Sequence, residues 1–198
     1  MFKRMVGISA ILALLILSGC GKAPEQEMQI ASTAIQAAQG AEAEEYAPDA
    51  LQMALDTLRA AEAAKTEADG KFALFRSYGK AKELYVRAEA LAKEAESAAV
   101  TEKQEVKAEV EGLITQATQV IEEAKVAFSK APRGKGSKAD LELIKNDLDA
   151  VGVSFEEAKI DYDAGKYAAA KAKLIAVIRK AQSISEEIGK AAAKKAGN

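Results

Sequence analysis

Residues 141–188 read LELIKNDLDAVGVSFEEAKIDYDAGKYAAAKAKLIAVIRKAQSISEEI, and this stretch decides the fold. Tyr167, Ala170, Leu174, Val177, Ala181, Ile184 and Ile188 follow one another at steps of three and four, which places them on one face of a helix. Leu141, Ile144, Leu148, Val151, Phe155, Ala158 and Tyr162 keep the same rhythm upstream, and Asp163-Ala164-Gly165 supplies a turn between the two runs. The spacing predicts a helical hairpin with Leu148 and Tyr167 buried in its interface.

The pattern extends toward the N-terminus. Val106, Val110, Leu113, Ala117, Val120, Ala124 and Ala127, with Ile114, Ile121 and Phe128, make another apolar face. Thr101-Glu102-Lys103-Gln104 before it fits a capping box, so a helix is expected to start near Glu102 and to end at Pro132, Gly134 and Gly136. Leu51 to Phe75 and Tyr78 to Ala99 read as a second, more Ala-rich hairpin, preceded by a helix from Glu27 to Glu45. The expected fold is all-α: six helices, long and antiparallel, with coiled-coil-like faces, forming one helical bundle or paired hairpins. Composition agrees. Ala, Glu, Lys and Leu dominate, and Pro24, Pro48 and Pro132 stand where helical patterns begin or end. A disordered chain of the same charge would lack the three-and-four recurrence of apolar residues.

The two halves look alike. Ala47-Pro48 matches Ala131-Pro132; Leu51, Leu58, Ala68 and Phe72 match Leu141, Leu148, Ala158 and Tyr162; Tyr78, Ala81, Lys82 and Ala92 match Tyr167, Ala170, Lys171 and Ala181. An internal duplication is therefore expected. The organisation expected is an export leader over 1–19, a tether over 20–28, a first helical half over 29–130, a basic Pro/Gly linker over 131–138 and a second helical half over 139–198.

The chain opens with Lys3 and Arg4, then an apolar run from Val6 to Leu17, then Ser18 and Gly19 before Cys20, the pattern of an export signal. At about 1.5 Å per residue the run spans roughly 18 Å, short of a hydrocarbon core of about 30 Å, so a permanent transmembrane helix is not expected. Leu17-Ser18-Gly19-Cys20 resembles the lipobox of bacterial lipoproteins. That resemblance implies cleavage before Cys20, a thioether-linked diacylglyceryl group on its sulfur and usually acylation of the new amino group. Two or three acyl chains hold a protein on a bilayer where one does so only marginally. Gly rather than Asp at position 21 implies, by the same resemblance, the outer membrane facing the periplasm.

Cys20 is the only cysteine, so once acylated it leaves no thiol for a disulfide, a zinc site or a nucleophile. Removing Lys3 and Arg4 with the leader moves the formal net charge from −2 to −4, which disfavours a nucleic-acid partner. The absence of histidine removes the commonest metal ligand and general base, and with it the Glu-x-x-His pairs of di-iron bundles. Glu44-Glu45, Glu122-Glu123, Glu156-Glu157 and Glu186-Glu187 are adjacent acids that diverge by about 100° on a helix, so solvated faces are expected rather than metal sites. Gly134-Lys135-Gly136-Ser137 is similar to a phosphate loop, but Ser129 stands where its first glycine belongs and no strand precedes it. Lys130, Arg133, Lys135 and Lys138 form a basic hinge able to touch anionic headgroups or peptidoglycan carboxylates, with a solvated connector as the simpler reading. Tyr78, Tyr85, Tyr162 and Tyr167 are candidates to stack on sugar or peptide, although aromatics on helical faces are usually core.

Tyr46-Ala47-Pro48-Asp49-Ala50-Leu51 and Tyr78-Gly79-Lys80-Ala81, following a lipobox, resemble a bacterial envelope family catalogued as domain-of-unknown-function family 4398, best over residues 27 to 97. Gly165-Lys166-Tyr167-Ala168-Ala169-Ala170-Lys171 has the same look, but Pro132-Arg133-Gly134 departs from Pro48-Asp49-Ala50. The family carries no activity over. The functional expectation is a noncatalytic, lipid-anchored scaffold or adaptor without cofactor, metal or nucleic acid, binding an envelope protein or peptidoglycan. The alternative is a small-ligand-binding or sensing module with its site between helices. An enzyme would have to use Lys, Glu or Tyr alone, and tetratricopeptide-like repeats of about 34 residues would need shorter helices.

Overall fold

The computed structural model describes residues 22–131 and 138–196. Every long element among them is helical: α1 (Glu25–Gly40), α2 (Ala43–Tyr46), α3 (Pro48–Asp69), α4 (Gly79–Lys130), α5 (Lys138–Asp163) and α6 (Tyr167–Ala196), with a 3-10 turn at Ala73–Phe75. The chain divides into two compact units between Glu102 and Lys103, inside α4. The expected all-α bundle is present, and none of the described helices is long and apolar enough to cross a membrane.

In the first unit α1 starts at Glu25, two residues earlier than expected, with Glu25 and Glu27 in the first turn where acids complement the helix dipole. Pro48 occupies the opening turn of α3, where its missing N–H costs nothing. Three helices then share one core: Ala31 of α1, Ala61 of α3, and Ala81, Tyr85 and Ala88 of α4, flanked by Met28, Leu58, Ala64 and Leu84. Alanine at most of these positions lets the helices approach closely, and the Tyr85 ring fills the space that remains. The helix predicted over 51–75 stops at Asp69. Gly70 donates its N–H to Thr66 O (3.1 Å), and the chain leaves the helix into a loop over 70–78.

The helix break expected near Glu102 does not exist. Ala81, Tyr85, Ala88, Ala92, Ala95 and Ala99 step by three and four, and Val106 and Val110 resume the same heptad register one step of seven later, across a half-buried Lys103, so one coiled-coil-like face continues past it. No glycine or proline interrupts the chain between Gly79 and Gly112. Thr101 spends its hydroxyl on Ser97 O at 3.0 Å, the back-bond of a threonine inside a helix, instead of capping a new one.

In the second unit α5 and α6 form the predicted hairpin, packed with the later part of α4. Val110, Ala117, Ile121 and Ala124 of α4 are buried, as are Leu148, Val151 and Ala158 of α5 and Leu174, Val177, Ala181 and Ile184 of α6. The turn is a Schellman cap: Gly165 at φ +76 donates to Tyr162 O (2.9 Å) and Lys166 donates to Asp161 O (2.9 Å). A Cβ at Gly165 or at mid-helix Gly152 would meet nothing within 4 Å, so backbone conformation alone decides the effect of alanine. Gly165→Ala is expected to lower stability by about 1–2 kcal/mol, and Gly152→Ala to raise it by about 0.5–1 kcal/mol. Urea denaturation of the two variants checks the opposite signs.

Matched positions of the two halves occupy like places. Ala68 and Ala158, Ala81 and Ala170, and Ala92 and Ala181 are all buried. Lys82 pairs with Glu27 of α1 at 2.6 Å, and its counterpart Lys171 pairs with Glu109 of α4 at 2.6 Å, so each lysine ties its hairpin to the third helix of its unit. The pairing of Phe72 with Tyr162 fails: Phe72 lies in the exposed loop, whereas Tyr162 lies in the last turn of α5.

Candidate functional site

The polar groups of the first unit gather at one end, where the chain enters α1, leaves α3 and begins α4. Lys65 lies 3.5 Å from Glu25 and 3.0 Å from Asp69. Tyr78 donates a short hydrogen bond to Asp69 Oδ1, and Arg76 Nη2 donates to the carbonyls of Asp69 (3.0 Å) and Lys71 (3.2 Å). A cleft of about 620 Å³ runs between Lys22, Ala23 and Pro24 on one side and Arg76, Ser77 and Tyr78 on the other.

These contacts fix charges in place. The hydrogen bond from Tyr78, then that from Lys65, holds the Asp69 carboxyl below the usual aspartate value of 3.8. The same bond to Asp69 pushes the Tyr78 phenol above 10.0, and the Lys82 ammonium holds Glu27 low. A general acid or base works best with a pKa near the operating pH; here the carboxylates move down and the phenol moves up, both away from neutrality. Because the folded state lowers the Asp69 pKa, this contact supports stability above the unfolded value and loses that support as pH falls through the folded one. Carboxyl-carbon NMR titration of Asp69 is expected to give a midpoint below 3.8 in the native protein and a higher one in Tyr78→Phe.

The second unit has a tyrosine pair at its turn. The rings of Tyr162 and Tyr167 lie 5.5 Å apart, tilted by 49°, and the Lys103 ammonium sits 5.9 Å from the Tyr167 ring centre. Tyr162 donates to Glu111 Oε1 at 2.6 Å, and this bond pushes its phenol up to about 12. Tyr78 and Tyr85 are buried, as expected of core aromatics, whereas Tyr162 and Tyr167 are only half-buried. The expectation that Tyr167 is buried in the hairpin interface is corrected accordingly, because its ring lies across the turn against Tyr162 and Lys103.

An open groove of about 750 Å³ follows α5 against α4, with Ile121, Leu148, Val153, Phe155 and Ile160 as apolar lining and Glu122, Lys125 and Glu156 at its rim. Val153 and Ile160 are largely exposed. The periodic reading missed them because they fall outside the core stripe of α5. The adjacent acid pairs at 44–45, 122–123, 156–157 and 186–187 all face solvent. Among the described residues no cluster of three or more Cys, Asp or Glu side chains converges as a metal site would require.

Lys130 ends α4 as an exposed side chain. Cys20, Arg133 and Lys135 lie outside the described residues, as does the side chain of Lys138. No family model, curated protein or solved structure matches the chain.

Proposed function

We propose that the chain is a noncatalytic lipoprotein of the bacterial envelope, anchored by lipid on Cys20 and presenting its helical units as a scaffold or adaptor to another envelope protein or to peptidoglycan. The observation that carries this reading is the lipobox at Leu17–Cys20 behind an export leader, followed within a few residues by a packed helix at Glu25. Anchoring on the outer membrane, facing the periplasm, follows from Gly21 by the lipoprotein resemblance.

The contact surface in this reading is the groove between α4 and α5, where Val153 and Ile160 stand exposed within an apolar lining rimmed by charge. An apolar centre with a polar rim is the anatomy of a protein contact. The groove also suits the alternative, a small-ligand or sensing module, because its volume falls in the range of about 300–1,000 Å³ used by such sites. Photo-crosslinking groups at Val153 and Ile160 in cells are expected to capture one reproducible envelope macromolecule, compared with a form neutralised at Lys130, Arg133, Lys135 and Lys138. Loss of capture in the neutralised form only would move the contact to the basic hinge. Capture of nothing at either place, together with saturable small-molecule binding, would replace the scaffold with the sensing module.

A further inference from the structure

Among the described residues, the loop over 70–78 holds the most exposed large apolar side chains: Phe72 at 70%, Leu74 at 73% and Phe75 at 77%. Chain reversal does not require them. The hairpin of the second unit turns with Ala164, Gly165 and Lys166 between its helices, whereas the first unit, only one residue longer between the matched positions Ala68/Ala158 and Tyr78/Tyr167, leaves the helix at Asp69 and spends 70–78 on the connection.

The loop has a defined shape. Phe75 donates its N–H to Phe72 O at 2.9 Å across the 3-10 turn. At the base, Arg76 grips the carbonyls of Asp69 and Lys71, and Tyr78 is bonded to Asp69. The loop is therefore held by its polar base while its apolar tip is turned to the outside.

The position of this tip says what covers it. Lys22 to Pro24 share one cleft with Arg76 to Tyr78, and Lys65 joins Glu25 at the start of α1 to Asp69 at the start of the loop. The apolar tip and the first described residues thus stand at the same end of the unit. Lys22 is two residues from Cys20, at most about 7 Å of chain. A lipid on Cys20 would bring a bilayer surface to the end where Phe72, Leu74 and Phe75 are exposed. Large apolar side chains next to basic ones suit the headgroup and acyl boundary, which takes up the apolar groups while lysines meet anionic headgroups. Lys22, Lys71 and Lys80 are exposed around the loop. The nearby acids Glu25, Glu27 and Asp69 face lysines inside the unit, and Glu67 faces Lys71 at 2.8 Å.

We infer that the Phe72–Phe75 turn is a second membrane contact, entering the interface of the same bilayer that holds the lipid on Cys20. This rests on the anchored reading for its orientation, while the loop's own affinity for a bilayer is separable from it. A loop inserted beside the anchor converts a swivelling tether into a fixed pose, because two attachments at one end hold the first unit against the membrane.

The chain contains no tryptophan, so single reporters are clean. Full-length Phe75→Trp purified from membranes and reconstituted into phosphatidylethanolamine/phosphatidylglycerol vesicles is expected to show blue-shifted emission. Lipids brominated on their acyl chains should quench it several-fold more strongly than Val100→Trp, an exposed position on α4 about 32 Å further along the helix. Equal emission and quenching at the two positions in vesicle-bound protein would overturn the loop contact and leave the lipid anchor standing.

Palmitate labelling of Cys20 is scored separately. Absent label on the wild-type chain, with persistent quenching of Phe75→Trp in a Cys20→Ser chain that lacks residues 1–19 and is added to vesicles, would overturn the anchor and sustain the loop. Replacing Phe72, Leu74 and Phe75 together by Ser in that unacylated chain should weaken vesicle binding about tenfold or more, with helical content unchanged by circular dichroism. Unchanged binding overturns the proposal, as does a Phe75→Trp shift that appears only with a crosslinked protein partner.

Discussion

Replacing Tyr85 by alanine is expected to lower the stability of the first unit by about 3–5 kcal/mol, the cost of emptying a buried aromatic site. Tyr85 is fully buried, and its neighbours Ala31, Ala61, Ala81 and Ala88 are too small to close over the space its ring would leave. Its hydroxyl behaves differently from its ring. Tyr85 Oη has no hydrogen-bond partner among the described residues, and burial pushes its phenol above the usual value. An unsatisfied buried hydroxyl costs about 1–3 kcal/mol, so Tyr85→Phe removes a penalty along with the oxygen and should leave stability unchanged or raised. Paired denaturation curves test this. A large loss in Tyr85→Phe would mean that the hydroxyl, rather than the ring, holds the core.

In the second unit the corresponding test is Leu174→Ala, expected to cost about 2–5 kcal/mol. Leu174 is completely buried on α6, one turn from Val177 and Ile178 and two from Ala181. Leu148→Ala should fall in the lower part of the same range, because Leu148 retains some exposure at 8% and lies against the open groove. Gln182, on the exposed face of α6, is the appropriate surface control. Lys180 is a poorer one, since it reaches Asp147 of α5 at 2.7 Å and its loss removes a contact between the helices. Equal denaturation midpoints for Leu174→Ala and Gln182→Ala would show that α6 does not bury the face that its spacing assigns.

Periodicity made the second hairpin legible because its core residues are large: Leu174, Val177, Ile184 and Ile188 mark the buried face without ambiguity, and Gly165 marks the turn. The first unit was harder to read. Its buried positions are mostly alanine, which also populates exposed faces, so the seam through α4 carried a weak signal and Thr101-Glu102-Lys103-Gln104 read as a start. A capping motif acts only where the preceding backbone has left the helix, and here the stripe from Ala95 to Val106 kept it helical. The loop over 70–78 was hidden for the opposite reason. Ala68, Phe72 and Phe75 continue the three-and-four spacing past the true end of α3, so apolar rhythm persisted where helix did not.

The candidate contacts were legible only as residue types. Sequence singled out Tyr78 and Lys82 as matched positions, but not that Tyr78 bonds Asp69 or that Lys82 reaches Glu27, because both contacts depend on how three helices meet. The exposed Val153 and Ile160 carried no signal, since an apolar residue off the core stripe looks the same whether it meets solvent or a partner.

The proposed anchor is tested most directly by the intact mass and N-terminal sequence of the chain purified from bacterial membranes. The expected result is a protein that begins at Cys20, lacks residues 1–19 and carries the added mass of two or three acyl chains on that residue. A chain that still begins at Met1, or one that carries a free thiol at Cys20, would contradict lipid anchoring.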